Sequence, residues 1–107
     1  MGRIVIACYR PKLGKESELE ELTKTHHDRL LSEELVTKRK PIVMRATDGS
    51  IVEVFEWKSK EAIEQAHTNE KVKKMWGEYA EVCEYVKPID IDEFQQLFSE
   101  FEPIDEP

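Results

Sequence analysis

Cysteine is scarce in this chain: Cys8 and Cys83 are the only two among 107 residues. Two thiols cannot make a disulfide framework, and no C-x-x-C or similar spacing offers a metal site. Each lies in an apolar run, so buried free thiols in a reducing, cytoplasmic setting are expected. Long apolar runs are missing too, and nothing approaches a membrane span. The apolar stretch in MGRIVIACYR is too short for a secretory signal, and Met1-Gly2-Arg3 lacks the Ser or Thr of a myristoylation signal. There is no glycine-rich phosphate loop, nucleophile elbow or H-E-x-x-H. Basic charge is in deficit: 16 Lys and Arg face 23 Asp and Glu, a net charge of -7. An acidic surface repels phosphate backbones and anionic bilayers, so neither nucleic acid nor membrane is an expected partner.

Hydrophobic residues make up 39% of the chain and charged residues 36%. The length suits one domain, and a domain so small leaves much surface exposed, which a second copy would help to bury. Arg3 to Tyr9 is β-rich and reads as a first strand. Pro11 and Gly14 punctuate the following loop. Glu16 to Leu35 reads as a helix, with Leu19, Leu22, His26 and Leu30 on one stripe. Lys38 to Thr47 reads as a second strand, with Pro41 marking an edge or bulge. Asp48-Gly49 is a hairpin signal, because glycine accepts the positive φ of a tight reversal. Ser50 to Trp57 follows as a third strand, with Ile51, Glu53, Phe55 and Trp57 sharing a face. Ser59 caps a second helix. Its pattern breaks at His67-Thr68-Asn69-Glu70 and resumes with Val72, Met75, Trp76, Tyr79 and Cys83.

Tyr85 to Ile91 reads as a fourth strand broken by Pro88, Asp92 to Phe101 as a terminal helix, and Glu102 to Pro107 as a loose end. The order β-α-β-β-α-β is the ferredoxin-like plan, an α+β fold with one antiparallel sheet and both helices on one face. The other face needs a cover, and a second copy supplies it, giving a homodimeric α/β barrel. Residues 1–91 would form this domain and 92–107 a C-terminal helix and tail.

The run EWKSKEAIEQAHTNEKVKKMW resembles the antibiotic biosynthesis monooxygenase-like family of dimeric α+β barrels. The matching features are the strand ending at Trp57, the S-x-x-A-x-x-x-A-H start of the second helix, and the restart with Val72 and Trp76. The first strand followed by PKLGKESELEEL is similar to the family's opening. The family's usual glycine before the second strand is absent from LVTKRKPIVM. The resemblance implies a small protein that oxidises an aromatic or quinone-type compound with O2 and no metal or organic cofactor. Other members degrade haem, isomerise, or have no assigned activity. The haem-degrading branch carries an Asn on the first strand, a Trp in the second helix and a ligand His beyond it. Here the first strand has no Asn, Ala66 stands at the Trp position and Trp76 at the His position, which counts against haem.

His67 and His26 are the candidate proton acceptors, since imidazole titrates near neutrality. Each also has a structural reading: His67 would hydrogen-bond the broken helix end, and His26 would be a satisfied core histidine. The pair His26-His27 is not a metal signature, because neighbouring helical residues diverge. Trp57, Trp76 and Tyr79 would stack on a flat ligand or simply pack the core. Arg45, a charge inside a strand, would bind a deprotonated ligand or pair with Glu53 or Glu56 across the hairpin, the ion pair being favoured. A non-catalytic binding or stress-related module with the same architecture remains the rival reading, because one fold hosts many activities.

Overall fold

The computed structural model describes residues 2–104. Its elements are β1 (Arg3–Pro11), α1 (Glu16–Ser32), β2 (Ile42–Arg45), β3 (Ile51–Trp57), α2 (Lys60–Ala66), α3 (Glu70–Val82), β4 (Cys83–Val86) and β5 (Glu102–Pro103). Together they make an α+β fold with one antiparallel sheet, ordered β4-β1-β3-β2-β5.

Alternation along the strands assigns the two faces. On the helix side lie Tyr9, Ile51 and Arg45 in one row and Ala7, Glu53 and Val43 in the next. On the outer side lie Cys8, Val52 and Met44, then Ile6, Val54 and Ile42. The helices cover the first face. Leu19, Thr23, His26 and Leu30 are the buried side of α1, and Val72, Met75, Tyr79 and Val82 that of α3.

Local chemistry sets the element ends. α1 stops before Leu35 because Glu34 takes a left-handed conformation at φ 59°. The Leu35 N–H then bonds Leu30 O and the Glu34 N–H bonds Leu31 O, the paired closure of a helix C-terminus. β2 is shorter than the 38–47 span expected of it. Thr37 N–H bonds Glu56 O, so the chain touches β3 there and then loops out through Lys38-Arg39-Lys40-Pro41 before rejoining the sheet. The Asp48-Gly49 turn forms as expected, with Gly49 at φ 91° and Asp48 Oδ1 accepting the Ser50 N–H at 2.8 Å. Ser59 accepts the Ala62 N–H, and Asn69 accepts the N–H groups of Lys71 and Val72, so the second helix divides into α2 and α3 where its pattern breaks.

The C-terminal part departs most from expectation. β4 ends at Val86, and Pro88–Asp90 and Asp92–Gln95 are single 3-10 turns rather than strand and helix. The remainder is an extended strap crossing the outer sheet face. Ile91 packs with Cys8, Val52 and Ala46, joined by Phe94 and Phe101, whose rings lie 5.1 Å apart. Two physical demands favour this over a helix. The Glu93 carboxylate accepts the Thr47 N–H at 2.7 Å, which fixes the strap to the hairpin and holds that carboxyl below its ordinary range. The open edge of β2 offers backbone groups that only an extended chain can pair, and β5 does so, with Ile104 N–H on Val43 O at 2.9 Å. The end expected to be loose is therefore ordered through Ile104; residues 105–107 lie outside the described ones.

The strap covers only the Cys8-Val52-Met44 row. Ile6 and Ile42 flank Val54 in the next row and are 49% and 59% exposed. Among the described residues no helix is long and apolar enough to cross a membrane.

Candidate functional site

The least expected residue of the interior is Glu53, which is 0% exposed. Its strand neighbours on that face are Ile51 and Phe55, so a carboxylate sits where an apolar residue would otherwise belong. Burial of an unpaired carboxylate would cost several kcal/mol, roughly, unless donors reach it. Two do. β1 brings Tyr9, whose phenol donates to Oε1 at 2.8 Å. α1 brings His26, whose Nδ1 lies 3.0 Å from the carboxylate. His26 and Tyr9 are themselves 4% and 2% exposed.

Aromatic rings enclose the group. Tyr79 from α3 lies 5.0 Å from Tyr9 and 5.5 Å from His26, and Phe55 meets His26 edge-on at 5.2 Å. Tyr79 donates a long 3.5 Å hydrogen bond to Thr23 Oγ1, which itself donates to Leu19 O. Burial, reinforced by the Glu53 charge, pushes the Tyr9 and Tyr79 phenols well above their ordinary range. Burial likewise raises Tyr85, at the edge of the cluster, to about 12 and the Cys83 thiol to about 11. The tyrosines are thus hydrogen-bond donors at neutral pH, and Cys83 is not a ready nucleophile.

With Nδ1 committed to Glu53, a neutral His26 carries its lone pair on Nε2. Nε2 makes no hydrogen bond among the described residues. A carboxylate that fixes an imidazole tautomer and stabilises its protonated form is the arrangement of a general base. Among the described residues no group of His, Cys, Asp and Glu is placed to hold a metal ion.

The structure divides the residues singled out in the sequence. His26 and Tyr79 meet in this cluster. Trp57 joins its margin, its ring 5.5 Å from Phe55. His67 and Trp76 form a separate pair, 5.3 Å apart, with His67 exposed. His67 Nδ1 donates to Ile63 O at 2.9 Å, which closes the end of α2. Arg45 meets neither Glu53 nor Glu56. It bridges Glu20 of α1 and Glu102 of β5, because Glu53 is held by Tyr9 and His26 while Glu56 takes Thr37 and Arg39. Tyr9 had no role in the sequence reading, and Glu53 only that of an ion-pair partner. The legible signal was an acid on the same strand face as Ile51, Phe55 and Trp57.

The residues of the cluster are buried: Tyr9, His26, Glu53 and Tyr79 are each at most 4% exposed. Two clefts of about 290 and 550 Å³ lie between α1 and α3, and one of about 340 Å³ at the outer end of β2. None of these three is lined by His26, Trp57, His67, Trp76 or Tyr79. Comparison with family models, with characterised proteins and with solved structures gives no match to this chain.

Proposed function

We propose that the chain is a cofactor-independent, monooxygenase-like protein acting on a small aromatic or quinone-type compound, with His26 as the proton acceptor. The observation that carries this reading is the buried Tyr9–Glu53–His26 network set against Tyr79. An imidazole oriented by a buried carboxylate is the arrangement from which a general base acts. In this reading the fold is the ferredoxin-like plan and its uncovered Ile6-Val54-Ile42 row pairs with a second copy, so the protein works as a homodimer in the cytoplasm. His26 would remove a proton from a ring methylene made acidic by a neighbouring carbonyl. The resulting carbanion would reduce O2 and bond to it, and the hydroperoxide would lose water to leave a ketone. One O2 is consumed, and a CH2 group becomes C=O plus H2O. Tyr79 and Phe55 would flank the ring.

Oxygen uptake with a panel of anthrones and naphthoquinols tests this. Turnover above the protein-free rate, abolished in His26→Ala and retained in His67→Ala, is the expected result. Rates equal to the protein-free rate across the panel would sink it.

One observation favours a second reading. The rings around Glu53 fill the space between sheet and helices, as in a structural core. A non-catalytic binding or stress-related module would show ligand-dependent stabilisation without oxygen uptake.

A further inference from the structure

We infer that the strap ending in β5 and Ile104 is a gate, and that ligand reaches the His26 centre between α1 and β2 once Ile104 withdraws. The inference rests on the reading of His26 and Glu53 as the functional centre.

The mouth between α1 and β2 is a fissure lined by Glu20, Thr23, Lys24, Val43, Ile51 and Ile104. It holds about 10 Å³ of free space, barely that of one water, which needs ~10–15 Å³. Ile104 packs against the main core there. Behind it stand the two residues that lead inward. Ile51 is paired with Tyr9 and is the same-face neighbour of Glu53. Thr23 is hydrogen-bonded to Tyr79, whose ring touches His26. Ile104 is thus an apolar side chain at this mouth, with buried Ile51 and Thr23 between it and the cluster.

The closure is built from weak parts. β5 has two residues, one of them Pro103, which has no N–H to give. Ile104 adds one backbone bond to Val43. Arg45 ties the strap to α1 by holding Glu102 at 3.0 Å on one side and Glu20 on the other, and Glu102 is 71% exposed. Exposed ion pairs are screened by water and contribute little. By contrast, Ile91 and Glu93 are buried, so the strap is anchored upstream and its end can lift without the rest unfolding.

Diethyl pyrocarbonate labelling of each histidine, read by mass spectrometry in the full chain, tests the gate without substrate. A failed turnover assay and a failed gate are thus separate results. His67, exposed and in contact with Trp76 of α3 and Ile63 of α2, is the internal reference. Ile104→Ser combined with Arg45→Gln should speed His26 labelling by at least about tenfold and leave His67 unchanged, as local opening becomes easier than global unfolding. In the wild type, His26 labelling should track the amide exchange of Ile104 rather than that of the β1–β3 ladder. The proposal is overturned if His26 is labelled only as fast as the β1–β3 amides exchange. Unchanged His26 labelling in a folded variant whose backbone amide at position 104 has lost protection also overturns it.

Discussion

His26 Nδ1 stands 3.0 Å from a Glu53 carboxylate that has no solvent exposure, and the two residues come from α1 and β3, 27 positions apart in the chain. The pair is coupled on its other side to Tyr9. Three polar groups thus share one dry site, and each depends on the others for its hydrogen bonds.

Removing one member should therefore cost more than removing all. Glu53→Ala is expected to lose about 3–5 kcal/mol, because it strands Tyr9 and His26. The triple replacement Glu53→Leu, His26→Phe and Tyr9→Phe should recover most of that loss. Urea denaturation of both variants decides the matter. A Glu53→Ala loss below about 1 kcal/mol would show that the network is not the unit described.

The tyrosines give a pH prediction. The folded-state values of Tyr9 and Tyr79 are raised above the unfolded phenol value of about 10. The stability they contribute is complete below that pH and is lost as pH rises toward the raised folded values. Of the three tyrosines, Tyr85 should ionise in the folded protein near pH 12 and the other two only as the chain unfolds. Absorbance at 295 nm against pH, run beside circular dichroism, measures this. A reversible one-phenol titration near pH 10 in folded protein would contradict it.

His67 caps Ile63 O and touches Trp76, far from Glu53 in its contacts. His67→Ala should lower stability by about 0.5–1.5 kcal/mol, the net worth of one hydrogen bond, and leave any turnover intact. Loss of turnover with unchanged melting would return His67 to the candidate centre.

The uncovered row on the outer face carries a prediction about assembly. Ile6→Lys places a charge beside half-buried Val54, whose other neighbour is exposed Ile42, within the expected contact. Light scattering should report a dimer for the wild type and a monomer for the variant, with similar circular dichroism. A monomeric wild type at micromolar concentration would remove the homodimer.

The sequence by itself determined the alternation of Ile51 to Trp57, the Asp48-Gly49 reversal, the Ser59 cap and the break between α2 and α3. These rest on backbone rules that act within a few residues, so they are visible without neighbours. His26 was legible as a polar interruption of an apolar stripe. Its partner was not, because the Glu53–His26 meeting depends on how α1 crosses the sheet. The same holds for Arg45, whose partners Glu20 and Glu102 come from elements that are distant in the chain and adjacent only after folding. The C-terminal segment shows the limit most clearly. Its residues Phe94, Leu97, Phe98 and Phe101 have helical spacing, yet Phe94 and Phe101 lie on the sheet while Leu97 and Phe98 are 92% and 80% exposed. Tertiary structure decided this, because an open β2 edge and an uncovered apolar row favour an extended chain more than that spacing favours a helix.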